Sequence, residues 1–384
     1  MKYDYIIIGA GIAGCSVAHF LSQSQKNILL IDKNENFAQS ASGAAGAFLS
    51  PLLGKPNRFK DLVTQSLKFS HAFYKQEFLP HIINKGVIRI PKNTLDAKKF
   101  QEYIPFIDFE YELKEGGCFF PIGTQVNSVA ICENLAKNCE KKFNYDIKHI
   151  VKKDNYYLLN NEIKCKNLIL TTGANTALID ENYVNIRAIW GHRIDIHTST
   201  CIDVNYHKEC SVSTSIQLQN SPLNKVSIGA THHRSNSTLE ENCFDLENID
   251  SIKMNDDNTI KADTELLLKR ANDIVKLDDV EVVNVKFGAR AASIDYFPMV
   301  GSLIDSKKTI DMFPYLTKGT HVPNQRLSRY ENLYILNGLG GRGFVLAPFL
   351  AKNLVEFILN ETPLSEDITV DRLFKKWVRK EKKD

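Results

Sequence analysis

Arg290 stands near the centre of FGARAASIDYFPMVG, residues 287–301, a stretch otherwise made mostly of small and apolar side chains. Desolvating a guanidinium costs several kcal/mol unless an anion and hydrogen bonds compensate, so either Arg290 reaches water or something negative sits opposite it. Its planar fork suits bidentate binding of a carboxylate. A second arginine, Arg342, lies in Gly340-Gly341-Arg342-Gly343, where glycines let backbone N–H groups approach a ligand closely. At the N-terminus, Gly9-Ala10-Gly11-Ile12-Ala13-Gly14 is a G-x-G-x-x-G, and Asp32 follows 23 residues after Gly9. Gly9 permits the tight turn, Gly11 lets backbone approach a pyrophosphate, and Gly14 allows close helix–strand packing. Asp32 is placed to accept hydrogen bonds from an adenosine ribose, and no arginine follows it to favour a 2′-phosphate. The fingerprint alone does not separate NAD from FAD.

The elements around these residues have the order that a βαβ nucleotide fold requires. Tyr3 to Ile8 is a β-prone run, Val17, Phe20 and Leu21 recur at helical spacing, and a second apolar run, 27–31, ends at Asp32. Residues 40–47 form a small-residue loop able to lie flat against a ligand. Helices are expected over 57–78, 127–143, 262–275 and 344–359. Strands are expected at 87–90, near 145–151, 155–159 and 162–165, and at 167–170, 186–196, 211–218, 225–231, 282–287 and 333–337. Residues 234–263 are polar and are expected on the surface, and 303–330 read as a loop insertion. Nucleotide-fold signals thus occur at both ends and in the middle, with strand-rich material between them. The expected organisation is a discontinuous cofactor domain (1–80, 117–185 and 284–384) interleaved with a substrate domain (81–116 and 186–283).

Composition narrows the class further. With 384 residues, 43% hydrophobic and 24% charged, the chain is ordinary for a globular protein of two domains. A formal charge of +3 gives no whole-chain case for nucleic acid or a membrane surface. The apolar runs are short beside the roughly 20 residues of a membrane span, and Asp4 argues against a signal peptide. Eight scattered cysteines with no C-x-x-C fit reduced thiols and a cytoplasmic location. His232 and His233 have no cysteine or acid at ligand spacing, so a surface pair and no metal site are expected. Trp190-Gly191-His192 suits either lining a substrate pocket or core packing by Trp190. The segment Arg372 to Lys383 carries seven basic residues among twelve, with Phe374 and Trp377 interleaved. Charge runs are usually solvated faces, and Lys375, Lys376, Arg379 and Lys380 are the candidates for contact with nucleic acid.

Together, GAGIAG with Asp32, the ASGAAGAF loop, LILTTGAN, FGARAASIDYFPMVG and LYILNGLGGRGFVLAP resemble the FAD-dependent amine and amino-acid oxidase superfamily. That superfamily contains the glycine, sarcosine and D-amino-acid oxidases. Within it, ASGAAGAFLSPLL, IRAIWGHRIDIHTST, SIGATHHR, GARAASIDYFPMVG and the basic tail ITVDRLFKKWVRK are most similar to the oxidase half of the bifunctional tRNA modification family MnmC.

The resemblance implies a mixed α/β fold of the D-amino-acid oxidase type, with a Rossmann-like FAD domain and non-covalent FAD. It implies cofactor contacts at Gly9, Ala10, Gly11, Ile12, Ala13, Gly14, Asp32 and Lys33, and at Ala41, Ser42, Gly43 and Ala47. Further contacts are implied at Val151, Thr172, Gly173, Gly338, Gly340, Gly341, Arg342 and Gly343. Arg290 is the matching position for the arginine that grips a substrate carboxylate, and Arg342 would hold flavin or substrate. The implied reaction removes the carboxymethyl group from 5-carboxymethylaminomethyl(-2-thio)uridine at the tRNA wobble position, leaving 5-aminomethyl(-2-thio)uridine and glyoxylate. The family's methyltransferase half precedes its oxidase, whereas here the nucleotide-binding strand begins at Tyr3. A separate methyltransferase is therefore the expected partner beside tRNA. Two rivals share these residues: an oxidase of a free amine such as glycine or sarcosine, and a non-catalytic flavoprotein that binds RNA.

Overall fold

Strand β1 (Tyr3–Ile8) is buried along nearly its whole length, as a strand with parallel neighbours and two covered faces must be. Helix α1 (Ile12–Ser22) follows, then β2 (Ile28–Ile31), the short α2 (Ala41–Ala44) and the long α3 (Arg58–Glu77). The middle of the chain supplies β3 (Val87–Arg89), β4 (Glu140–Lys142), β5 (Ile163–Leu170), β6 (Ile186–Thr198) and β7 (Asn205–His207). It continues with β8 (Asn224–Gly229), β9 (His233–Arg234) and α4 (Asp257–Asn272). The last part adds β10 (Glu281–Ser293), β11 (Met299–Ile304), α5 (Ser306–Met312), β12 (Arg329–Asn337), α6 (Gly343–Asn360) and α7 (Asp371–Val378). This computed structural model describes residues 3–24, 26–234 and 253–381.

In the first sheet, of eight strands, β1 runs parallel to β2, with Tyr5 opposite Ile28, and to β5, with Ile8 opposite Leu170. Strand β4 extends it beyond β2, and β12 lies parallel to β5 with β11 outside it. Helices α1, α3 and α6 cover one face through Val17, Leu21, Leu67, Leu350 and Leu354. On the other face, Phe313, Leu316, Phe374 and Val378 pack against Ile6, Leu29 and Leu168. The second sheet has ten strands and is built on β6 and β10, which pair antiparallel from Ile186–Ser293 to His197–Glu281. Leu267 and Ala271 of α4 cover part of one face, packing on Ile194, Ile196 and Val226. Strands Gly117–Phe120 and Glu281–Ser293 both belong to this second sheet, although the sequence division places the first and most of the second in cofactor segments.

The mixed α/β architecture expected from the sequence is present, with several local differences. The helix expected over 127–143 ends at Leu135, because Glu140–Lys142 leaves to pair with the open edge of β2. The helix expected from 262 starts at Asp257, where the Asp256 side chain accepts from Thr259 N at 3.1 Å. The expected loop at 303–330 instead contains α5 and two short 3₁₀ turns, and its Phe313, Leu316, Val322 and Leu327 are core residues. Within the polar stretch expected on the surface, Met254 and Asp263 are buried, and residues 235–252 lie outside the described residues. The seven described cysteines are all free, and Cys243 lies outside that set.

By length and composition, Gly340–Asn360 could cross a membrane, in contrast to the short apolar runs read from the sequence. Here half of that segment is buried, and α6 packs against α1 and α3. Pro348 lies inside α6 and has no N–H to give to the carbonyl of Phe344, four residues earlier. The buried Tyr74 hydroxyl of α3 donates to that oxygen at 3.1 Å, and Ser70 Oγ donates to the next carbonyl, Val345 O, at 2.7 Å. Two polar side chains thereby tie α3 to the proline-interrupted turn. Tyr74→Phe leaves the Phe344 carbonyl buried without this donor and is expected to lower stability by about 1–3 kcal/mol in chemical denaturation. A midpoint equal to wild type would contradict this role.

Candidate active site

The turn after β1 leaves no room for a side chain at Gly9, nor does the first turn of α1 at Gly14. Gly9 has φ +111°, and a Cβ there would stand 2.5 Å from Thr171 O. A Cβ on Gly14 would stand 1.9 Å from Gly9 O. Thr171 Oγ1 donates to Ile8 O at 2.8 Å, binding the ends of β1 and β5 together. Gly11, the N-cap of α1, has no capping side chain, and the nearest polar group is the Ser42 hydroxyl, which accepts from Ile12 N at 3.0 Å. Those N–H groups and the helix dipole favour an anion at this point. At the end of β2, half-buried Asp32 accepts from Ala10 N at 2.6 Å and from Asn34 N at 2.8 Å. Oδ1 also accepts from Asn34 Nδ2 at 2.8 Å, while Oδ2 keeps a further lone pair for a ribose hydroxyl. Ala10 and Ile12 are buried, Ala13 is half-buried, and Lys33 is exposed beside Asp32. These residues fit the pyrophosphate and ribose of a dinucleotide.

Val151 is not brought here. It pairs with Leu158 at the outer edge of the first sheet, while the chain passing Asp32 is Lys142–Tyr145, bonded through Lys142 O and Tyr145 N at 3.1 Å each. The hairpin beginning at Ile150 carries Val151 away from the end of β2, a placement set by pairing partners distant in sequence.

The small-residue segment is clamped between the two sheets. Gly43 lies so close to Ala38 that a Cβ would stand 1.9 Å from its carbonyl oxygen, and Ala47 adopts φ +52°. A Cβ on Gly288 of β10 would stand 2.8 Å from Ala41 Cα, so only glycine lets β10 approach α2 this closely. Arg193 of β6 donates to Ala45 O at 2.5 Å. Behind the cradle, Asn337 donates to Gly173 O at 2.9 Å and accepts from Gly338 N at 2.8 Å, which joins the Thr172–Gly173 turn to the second glycine-rich turn. Gly340 has φ +55° with open space where a side chain would project, and Gly343 approaches Ile12 at the start of α1.

Arg290 projects from β10 on the same face as Gly288, because alternate strand residues share a face. Its Nη1 donates to Thr231 O at 3.2 Å and Ile189 O at 3.4 Å, and no acid among the described residues pairs with it. Burial lowers the pKa of its guanidinium. The aliphatic part of Arg290 packs beside Gly341, 3.6 Å from where a Cβ would stand. A partly desolvated cation thus lies next to the glycine-rich turn without an anion among the described residues. Among the described residues the Arg342 side chain makes one long contact, to Ser50 O at 3.5 Å, and burial pushes its pKa down to about 10. Sequence reasoning missed a third such residue, Arg89 on β3, whose pKa is also pushed down to about 10 by burial and then by the charge of Arg342. Its signal was readable, since Arg89 interrupts the apolar run 87–90 as Arg290 interrupts its own.

On the opposite face, a polar network backs Arg290. Asp263 Oδ2 accepts from Thr231 Oγ1 at 2.6 Å and lies 2.6 Å from His192 Nδ1 and 2.7 Å from His233 Nε2. Buried His192 also has Nε2 2.8 Å from Met254 O. Thr231 thus gives its hydroxyl to Asp263 and its carbonyl to Arg290. His233 is not part of a free surface pair, because α4 brings it an acid from 30 residues away. The three groups lie within 4.8 Å of one another, as metal ligands would. Ligand atoms around a tetrahedral ion with bonds near 2.0–2.1 Å would, however, sit about 3.3 Å apart. The shorter separations from Asp263 Oδ2 are those of hydrogen bonds.

The tail is part of the fold. Phe374 is buried and Trp377 half-buried against Tyr183, at ring-centroid distances of 5.7 and 6.4 Å, so Phe374 is a core residue and Trp377 packs against the core. Arg372 grips Asp295 through Nε–Oδ2 at 2.8 Å and Nη2–Oδ1 at 3.1 Å, fastening α7 to the chain just after β10. Lys376, Arg379 and Lys380 are exposed, and Lys375 is half-buried.

A dinucleotide cradle on a parallel sheet, facing unpaired arginines on a second sheet, defines a flavin- or nicotinamide-dependent oxidoreductase. Residues 4–357 match the DAO family of FAD-dependent oxidoreductases, and the chain belongs to that family. FAD is accordingly its cofactor. The chain is 24% identical over 385 residues to the tRNA 5-methylaminomethyl-2-thiouridine biosynthesis bifunctional protein MnmC of Legionella pneumophila (strain Lens), covering 93% of this chain and 54% of that protein. The MnmC of Campylobacter fetus is 24% identical over 368 residues, covering 93% and 56% respectively. The chain thus spans about half the length of these relatives. Among solved structures, glycine oxidase from Geobacillus kaustophilus superposes with a TM-score of 0.68 at 15% identity, covering 94% of this chain and 96% of that one. Iminodiacetate oxidase from Chelativorans sp. BNC1 gives 0.66 at 16%, covering 95% and 98%. The fold is thus of the D-amino-acid oxidase type.

Burial alone would raise the pKa of Asp263, but hydrogen bonds from Thr231, His192 and His233 outweigh it and hold the carboxyl below its usual range. The unfolded chain therefore takes up this proton first, near pH 4. The resulting stabilisation is present above that pH and is lost as pH falls through the lower folded-state value. Asp263→Asn is expected to lower the melting temperature at neutral pH and to flatten its decline below about pH 4. Identical acid limbs for variant and wild type would remove Asp263 from this role.

Proposed function

We propose that this protein oxidises an N-substituted glycine: the carboxymethylamino group of 5-carboxymethylaminomethyl(-2-thio)uridine at the tRNA wobble position. The observation that carries the reading is Arg290, half-buried beside the Gly340–Arg342 turn with no anion among the described residues. The substrate's side chain is a secondary amine bearing a methylene and a carboxylate. Arg290 binds the carboxylate through its fork and so fixes where the methylene points. Non-covalently bound FAD supplies the hydride acceptor. Gly340 and Gly341 present backbone N–H groups, and Arg342 a positive charge, at the start of α6, where negative charge on a neighbouring ring system is favoured. The methylene loses hydride, the amine loses its proton to solvent, and water then cleaves the resulting imine to glyoxylate and the 5-aminomethyl nucleoside. An unprotonated amine can lose hydride directly, so no side-chain base is assigned.

Support for tRNA as the carrier comes from the similarity to MnmC over 93% of the chain and from exposed Lys376, Arg379 and Lys380. The alternative is a free amine such as glycine, sarcosine or iminodiacetate, favoured by the fold likeness to glycine and iminodiacetate oxidases. It shares Arg290 and FAD but has no use for a basic surface.

Arg290→Ala is expected to retain FAD, still released by acid precipitation, and to lose at least about thirtyfold in kcat/KM, from the roughly 2–5 kcal/mol of a buried charge contact. Near-normal turnover with intact flavin would return Arg290 to a structural role. Neutralising Lys375, Lys376, Arg379 and Lys380 together is expected to weaken tRNA binding and flatten the dependence of log affinity on log salt. Unchanged affinity in the quadruple variant, or oxidation of glycine with no turnover of hypomodified tRNA, would favour the free-amine reading.

A further inference from the structure

Two of the three unpaired arginines converge on one stretch of backbone from different elements. Arg89 comes from β3 in the second sheet and donates through Nη1 to Pro51 O at 2.9 Å. Arg342 comes from the turn before α6 and reaches the preceding carbonyl, Ser50 O, at 3.5 Å. Arg89 Nε is buried and has no hydrogen-bond partner. Behind it, His207 on β7 is the register partner of Arg89 and bonds Ser211 Oγ at 2.7 Å. No described carboxylate is hydrogen-bonded or ion-paired to either arginine. The nearby Asp96 instead accepts from the backbone of Lys92 at 3.0 Å.

Like charges held together in a desolvated place repel, and an unpaired guanidinium nitrogen there has lost its water. An oxyanion between the two arginines would offset both costs through charge-assisted hydrogen bonds. Arg89 and Arg342 meet the neighbouring carbonyls Pro51 O and Ser50 O, whereas Arg290 is held by Thr231 O and Ile189 O. The pyrophosphate of FAD has its own cradle at the start of α1.

We propose that Arg89 and Arg342 form a second oxyanion site, which binds a second anionic group of the substrate, while Arg290 takes the carboxylate next to the reacting methylene. This rests on reading the site as an oxidase of N-substituted glycines. The group is a phosphate if the substrate is a nucleotide and a second carboxylate if it is a dicarboxylic amine. Arg89 then selects for substrates with two anionic groups.

The test titrates the holoenzyme with glycolate, 2-phosphoglycolate and malate, following the flavin absorbance. Glycolate offers one carboxylate, while the other two add a phosphate or a second carboxylate. A dianion is expected to bind about tenfold or more tightly than glycolate, the gain of one charged hydrogen-bonded contact. Arg89→Gln is expected to abolish that excess and leave glycolate affinity and FAD content unchanged. Preference for 2-phosphoglycolate assigns the site to phosphate, and preference for malate to a carboxylate. Should the glutamine variant lose FAD, Arg89→Lys, which keeps the charge without the fork, is expected to retain only part of the excess. Equal affinity for glycolate and both dianions, or equal weakening of all three by either variant, would overturn the proposal. None of the probes contains uridine, so a failure of the tRNA reading would leave the dianion preference intact.

Discussion

A half-buried positive charge without a counter-charge among the described residues is the constraint on which this structure turns. Arg290 is held by two backbone carbonyls, Thr231 O and Ile189 O, which fix its direction and do nothing to neutralise it. Carbonyl acceptors orient a guanidinium at much lower energetic return than a carboxylate would give. The fold therefore keeps the cation poised for an incoming anion. The Asp263 network supports that arrangement from behind, because Thr231 is fixed by the carboxylate on one side and accepts Arg290 on the other.

The close approach of the two sheets places this charge beside the cofactor cradle. Gly288 lets β10 come against α2, Arg193 bonds Ala45 O, and Arg372 fastens α7 to Asp295 just beyond Arg290. Each contact joins segments far apart in sequence, so the site is assembled by the second sheet closing on the first. The basic tail contributes to this closure through Arg372, Phe374 and Trp377, whatever its exposed lysines bind.

How much of this was legible in the sequence depended on the range of the interactions. The G-x-G-x-x-G turn with Asp32 was legible because its geometry is local: β1, the turn, α1 and β2 occupy 29 consecutive positions from Tyr3 to Ile31. Arg290 was legible as an anomaly of type, a charge in an apolar run, and Arg89 had the same signal in a shorter strand. Asp263 was not legible, since it meets His192 across 71 residues and nothing local in either segment announces the pairing. Val151 was misplaced for a related reason: strand pairing, a non-local property, decides which end of a sheet a residue reaches. The tail was readable in principle. Leu373, Phe374, Trp377 and Val378 fall on one helical face, a pattern that marks those aromatics as core.

The most direct test mixes anaerobic holoenzyme with tRNA carrying 5-carboxymethylaminomethyluridine and follows the flavin spectrum, then analyses the wobble nucleoside by mass spectrometry. The account predicts bleaching of the flavin together with conversion to the 5-aminomethyl nucleoside, and loss of both in Arg290→Ala. Bleaching by glycine or sarcosine with an unchanged wobble nucleoside, or an oxidised flavin in the presence of every one of these substrates, would contradict it.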